Sequence, residues 1–189
     1  MKKLNFPFSQ AAIRQLQVGD MVLITGKLFT GRDAVHKYLH DGNPSPVPLK
    51  NQIIYHCGPV VLQDGKGQYI VTAAGPTTSI REEPYQWEVI RDHGIVGVIG
   101  KGGMGKKTLD ACKQYGCVYF HAVGGAAQVL AEKITSVDNV FLKDEFGGPE
   151  AIWELSVVDF PVVVTMDAHG NSLHAKVEAS SLEMLKANL

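Results

Sequence analysis

The chain predicts an α/β protein with a β-rich N-terminal half and βαβ units behind it. Two observations carry this. Residues 52 to 74 hold short β-branched and apolar runs separated by Gly-Pro and Gly-rich breaks. From Glu82 onward, short buried-looking strands alternate with helix-like stretches, the texture of a parallel sheet. A length of 189 residues suffices for one domain with a sizeable core, so a single domain over 1–189 is expected.

Taken in order, a polar tail leads to a short helix from Gln10 to Leu16. A turn at Val18-Gly19-Asp20 precedes a strand, Met21 to Thr25. Thr30 and Asp33 have capping-box spacing, so a helix starts there with Arg32 in its first turn. His36 and His40 are four apart on that helix. The H-E-x-x-H pattern is absent, and two surface histidines are the expectation. Asp41 to Lys50 reads as a proline-rich loop. Gln52 to Cys57, Val60 to Leu62 and the run from Gln68 read as strands of a meander or small barrel. A helix from Glu82 ends at Gly94, and Ile95 to Ile99 is a buried strand. A helix to Gly116, a strand Cys117 to His121 and another helix follow. Val137 to Leu142 is a strand, and Gly147-Gly148-Pro149 opens a short helix through Trp153. Val157 to Asp167 reads as strands interrupted by Pro161. His169 to Ser172 turns into a last strand, and Ser181 to Leu189 is a terminal helix.

Composition narrows the function. Apolar content of 45% and charge of 20% are ordinary for a globular protein, and the net charge of −1 argues against nucleic acid or an anionic membrane as partner. No apolar run approaches the roughly 18–20 residues that span a bilayer, and the N-terminus lacks the h-region of a signal peptide. Cys57, Cys112 and Cys117 are odd in number and lack C-x-x-C spacing. They fit reduced apolar filler in a cytoplasmic protein better than a disulfide framework or a metal site.

The chemistry concentrates at Gly75-Pro76-Thr77-Thr78-Ser79-Ile80-Arg81. Gly-Pro ends a strand, three hydroxyls sit at a helix entrance, and Arg81 lies in the first helical turn, where the dipole disfavours a cation. Such a stretch suits a carboxylate or phosphate; a capped turn with a solvent-facing arginine reads equally well. Gly100 to Lys107 comes close to a phosphate-binding loop, yet Lys107 stands where the magnesium-binding Ser or Thr belongs. Lys101 sits at the carboxyl end of a strand and suits a carboxylate. His121 and Gly124-Gly125 end the next strand and could wall the same pocket, with a satisfied core role expected for His121.

Thr30-Gly31-Arg32-Asp33, Gly75 to Arg81 and Gly100-Lys101-Gly102-Gly103-Met104 occur in one order. With Tyr55 to Val60, Glu150 to Trp153 and Asp167 to Asn171, they resemble the C-terminal, or beta, part of the class I iron–sulfur fumarases and L-tartrate dehydratases. The resemblance covers residues 15 to 177. It implies a swivelling β/β/α domain and a hydro-lyase activity, reversible hydration of fumarate to (S)-malate, in a beta subunit active only with an alpha subunit. It implies that Arg32, Arg81 and Lys101 bind the substrate carboxylates beside Thr78, and that Thr77 joins Lys101 in the catalytic group as the proton-transfer residue. It implies a [4Fe–4S] cluster held by the alpha subunit, with no metal ligand in this chain. Glu82 stands where the family often has Met. An L-tartrate dehydratase beta subunit and a non-catalytic dicarboxylate-binding domain are the alternatives.

Overall fold

The computed structural model describes residues 1–188; Leu189, the end of the expected terminal helix, lies outside them. Strand β1 (Lys2–Asn5) and helix α1 (Gln10–Arg14) lead to β2 (Met21–Thr30) and α2 (Asp33–His40). Next come β3 (Ile53–Tyr55), β4 (Val60–Gln63), β5 (Tyr69–Ala73) and a 3-10 turn (Ser79–Glu82) that runs into α3 (Glu83–His93). The remainder is β6 (Gly97–Gly100), α4 (Lys106–Tyr115), β7 (Val118–His121), α5 (Ala127–Ala131), β8 (Ile134–Phe141), α6 (Lys143–Phe146), β9 (Ile152–Met166) and α7 (Leu173–Ala187).

The main sheet has the order β1-β2-β3-β6-β7-β9-β8. Its segment β2-β3-β6-β7 is parallel; for β6 and β7 the alternation of strand and helix from Glu82 onward predicts this, and β2 and β3 extend it. β9 runs antiparallel to β2, β7 and β8. Because β9 pairs with both β2 and β7, the strands β2, β3, β6, β7 and β9 close into a ring. β4 and β5 form a separate hairpin.

Strands β3 and β6 are buried along their whole length, and β7 as far as Phe120, because both faces are covered. Alternate residues face opposite ways. Ile53, Tyr55, Val118 and Phe120 share one cluster with Ile13 of α1 and Leu130 of α5. Ile54, Val98 and Tyr119 share another with Val35 of α2, Val89 and Ile90 of α3, and Cys112 of α4. Gly94 and Gly116 end α3 and α4 in the left-handed conformation, the residue type that adopts it without a Cβ penalty.

Several expectations are corrected. The strands β3, β4 and β5 are not a local meander: β3 belongs to the main sheet between β2 and β6, and only β4 and β5 pair with each other as an antiparallel hairpin. β2 runs five residues further than expected, to Thr30. Thr30 is therefore not a helix cap; its hydroxyl donates to the Ala151 carbonyl at 3.0 Å and accepts the Trp153 amide at 2.9 Å. Those bonds hold residues 151–153 against β2, and Ile152 and Trp153 open β9 where a helix was expected. Pro161 does not break β9; it sits opposite Leu23 in a continuous strand. β8 starts at Ile134, and β1 was unforeseen. After Asn171 the chain forms α7 instead of a strand, with Ser172 accepting the Ala175 amide as N-cap.

Candidate functional site

The parallel strands all end on one side, and the sequence places polar residues at each end. Arg32 lies two residues past β2, His56-Cys57-Gly58 follow β3, Lys101 follows β6, and His121 ends β7. The Gly75–Arg81 stretch is stitched between two of these ends. Cys57 bridges Pro76, and Thr77 donates its amide to the His56 carbonyl at 2.7 Å. On the other side Lys101 donates its amide to the Thr77 carbonyl at 3.2 Å, and Ser79 donates to the Lys101 carbonyl at 3.0 Å.

Arg32 is half-buried, and its Nε lies 3.2 Å from Oε1 of Glu150. The other Glu150 oxygen accepts the Ala34 amide at 3.1 Å, so this carboxylate ties the arginine to the start of α2. Gly58 makes room for Arg32: a Cβ there would stand 2.7 Å from Nη1 of Arg32 and 2.6 Å from the Pro149 carbonyl. Arg81 is exposed and donates to Oδ2 of Asp33 at 2.6 Å. Asp33 follows Arg32 in the chain, so the carboxylate that holds Arg81 belongs to the residue next to Arg32. Thr77 is half-buried, and its hydroxyl oxygen is shielded from solvent without a hydrogen-bond partner among the described residues. Thr78 is exposed and faces Lys101 across an isolated parallel bridge. The Arg81–Asp33 pair and these backbone bonds thus join the segments that carry Arg32, Thr77, Thr78, Arg81 and Lys101 into one patch.

A buried polar network supports the patch from beneath. His36 Nδ1 meets the Arg32 carbonyl at 2.9 Å, which requires the proton on Nδ1. Burial disfavours the imidazolium of His36 and, more strongly, that of His56, where the neighbouring His36 adds to the effect. A neutral His36 then offers a lone pair at Nε2. Oε1 of Gln86 lies 2.9 Å from this atom and 2.8 Å from Nε2 of His56, while its Nε2 has no partner among the described residues. Both ring contacts become hydrogen bonds when the Gln86 amide is turned so that its NH2 faces the rings. His56 Nδ1 then donates to Oγ of Ser79 at 2.8 Å, and the Tyr119 hydroxyl donates to the same oxygen at 2.9 Å. Gly100 is required here, because a Cβ would overlap the Ser79 hydroxyl.

Glu82 ends the 3-10 turn, is 1% exposed, and has no hydrogen-bond partner on either oxygen among the described residues. Burial first, and the Asp33 carboxylate second, push its carboxyl up to about 7. Its neighbour Glu83 does different work. It accepts the amides of Gly105, Lys107 and Thr108 and the Thr108 hydroxyl, at 2.8, 3.0, 3.3 and 2.6 Å. A protein carboxylate therefore already occupies the start of α4, where a nucleotide phosphate would have to bind.

His36 is fully buried, which corrects its surface assignment. His40 remains partly exposed and pairs with Glu88. His121 is not a satisfied core histidine: it is half-buried, its Nδ1 is unpartnered among the described residues, and its ring lies 6.3 Å from that of His174 on α7. Sequence reasoning missed Asp33 and Glu150 as partners of the two arginines. It also missed the His36–Gln86–His56 network, whose members lie up to 50 residues apart.

The cysteines do not fit an iron–sulfur cluster. Cys57 belongs to one core cluster, Cys112 and Cys117 to another. Burial pushes the Cys57 thiol up to about 12 and the Cys117 thiol well above its ordinary value, against the thiolate that iron requires. Among the described residues no group of three metal-ligating side chains converges.

Relatives place the chain. A protein of Geobacillus stearothermophilus provisionally named a class I fumarate hydratase is 59% identical over 182 residues, which are 96% of this chain and 35% of that protein. The chain thus spans about a third of that relative's length. A Methanocaldococcus jannaschii protein provisionally named an L(+)-tartrate dehydratase subunit beta is 40% identical over 92% of this chain and 91% of its own length. The L(+)-tartrate dehydratase subunit beta of Escherichia coli is 35% identical over 93% of this chain and 88% of its own. Residues 2–177 match the family described as Fumarase C-terminus, and the chain belongs to that family.

Proposed function

We propose that this chain is the beta half of a class I fumarate hydratase and acts as one domain in the cytoplasm. In this reading it binds a dicarboxylate and supplies proton transfer to a [4Fe–4S] cluster carried by an alpha subunit. The observation that carries the reading is that Arg32 and Lys101 follow the parallel strands β2 and β6, while the loop carrying Thr77 and Arg81 is bonded to the ends of β3 and β6 and to Asp33 beside Arg32. Removing a proton beside a carboxylate builds negative charge on that carboxylate. A fixed cation or donor aimed at such charge contributes about 3–4 kcal/mol to the transition state. Arg32 and Arg81 are held by Glu150 and Asp33, so their guanidinium groups are oriented before substrate arrives. The Thr77 hydroxyl, shielded and unpartnered, is free to exchange a proton with the substrate carbon once a nearby cation stabilises its alkoxide. The cluster supplies Lewis-acid chemistry from the partner's side.

The tartrate reading has its own support, since the chain spans 91% and 88% of two relatives named as separate tartrate dehydratase beta subunits. Identity of 59% to the relative named a fumarate hydratase favours fumarate. The test is an anaerobic assay of the chain mixed with a cluster-loaded alpha subunit against fumarate, (S)-malate and L-tartrate. Turnover of fumarate only in the mixture supports the reading, and preference for L-tartrate supports the second. Dicarboxylate binding with no turnover in the mixture would reduce the chain to a binding domain.

A further inference from the structure

Glu82 is the one acid at the patch whose carboxyl meets neither solvent nor a hydrogen-bond donor among the described residues. An ionised carboxylate so placed loses its hydration, and the nearby Arg81 and Arg32 charges and its own backbone amide offset only part of that loss. The charged and titratable groups near it are Arg81 on the same turn, Arg32 and Asp33 at the start of α2, and Tyr119 of β7. Both arginines already have a carboxylate partner, Asp33 for Arg81 and Glu150 for Arg32.

The charge count at the patch shows what a dianion does there. Arg32, Arg81 and Lys101 supply three positive charges; Asp33, Glu150 and an ionised Glu82 supply three negative ones. A bound dicarboxylate adds two more negative charges in competition for the same cations. Asp33 and Glu150 each stand in direct contact with an arginine. Glu82 has no such pairing to lose, and its titration midpoint already lies near neutrality.

We infer that Glu82 takes up a proton from solvent when the dicarboxylate binds and returns it when the ligand leaves, which makes Glu82 the residue that sets the upper pH limit of binding. The inference rests on the reading of Arg32, Arg81 and Lys101 as the carboxylate site. Binding then weakens as pH rises above about 7, since the proton must be recovered from an ever more dilute supply. The limiting slope is about tenfold in affinity per pH unit. In a variant without this carboxyl the dependence disappears.

The probe is succinate, a dicarboxylate with no double bond to hydrate. Calorimetric titration of the complex with its alpha subunit, at pH 7.5 in phosphate and in Tris, reads proton uptake from the buffer dependence of the heat. The expected result is uptake of about half to one proton per succinate in the wild type and none in Glu82→Gln, whose affinity stays flat from pH 7 to pH 8.5. An infrared difference spectrum of the wild-type chain between pH 6 and pH 8.5 keeps the test open if Glu82→Gln fails to fold. A buried protonated-carboxyl band must disappear over that range. Heats independent of buffer in the wild type, or equal uptake in Glu82→Gln, overturn the Glu82 assignment while leaving the site reading intact. Succinate binding that survives unchanged in Arg81→Ala, or no binding by the wild-type complex, overturns the site reading itself.

Discussion

Lys101 donates its backbone amide to the carbonyl of Thr77, and the two residues come from different loops at the ends of different strands. The bond fixes the residue proposed for proton transfer against the lysine proposed to bind a carboxylate, without using either side chain. It also explains why the Gly75–Arg81 stretch needs no side-chain cap of its own: the 3-10 turn has none, and its Ser79 amide is satisfied by the Lys101 carbonyl.

Arg81 is the cation most open to substrate. Arg81→Ala is expected to lower kcat/KM of the assembled enzyme by about 10²–10³-fold. The melting temperature should change little, because its exposed pair with Asp33 contributes about 0–1 kcal/mol to stability. Steady-state kinetics and a thermal melt on the same sample check both halves.

Glu150 acts through Arg32. Glu150→Gln keeps an acceptor for the Ala34 amide and removes the charge that steers Arg32. KM for the dicarboxylate should rise about tenfold, equivalent to about 1.4 kcal/mol, with a smaller change in kcat. Glu150→Ala should also lower stability by about 1 kcal/mol, measured by urea unfolding.

Glu83 closes the start of α4 through four hydrogen bonds. Glu83→Ala leaves those amides without their acceptor and is expected to destabilise the chain by about 1–2 kcal/mol. Urea midpoints by circular dichroism read the loss. Unchanged stability would mean that water replaces the carboxylate at no penalty.

The buried imidazoles set the acid side of the stability profile. His36 and His56 have lowered folded-state pKa values, and half-buried His93, His121 and His174 shift the same way. The unfolded chain therefore binds more protons below about 6.5, and stability falls as pH drops below that value. Glu82 has a raised folded-state pKa and works in the opposite direction between about 4.5 and about 7. Glu82→Gln should steepen the loss on the acid side. It should add on the order of 3 kcal/mol at pH 8, where the wild type holds an ionised buried carboxylate. Urea midpoints at pH 5, 6.5 and 8 for both proteins decide this.

What could be read from the sequence followed local chemistry. The apolar runs around Val98 and Val118 announced parallel strands, and the polar residues just beyond them marked the patch; the run around Ile53 announced a strand but not its parallel pairing. The glycines at 94 and 116 marked helix ends. Non-local pairing was not legible. Thr30 carries a cap-like signal, yet β9 claims its hydroxyl through residues more than a hundred positions away. Pro161 reads as a strand break, but β9 is secured by β2, β7 and β8 together. His169 to Ser172 reads as a turn into a strand, but Ser172 caps α7 by accepting the Ala175 amide. Asp33 and Glu150 could not be matched to their arginines, because no local rule links positions 33 to 81 or 32 to 150.

The most direct test is a crystal structure of the chain with its alpha subunit and a bound dicarboxylate. One ligand should touch the side chains of Arg32, Arg81 and Lys101 at once, with the Thr77 hydroxyl against a carbon of its backbone. A dicarboxylate seated away from these residues, or held by the alpha subunit alone, would contradict the account.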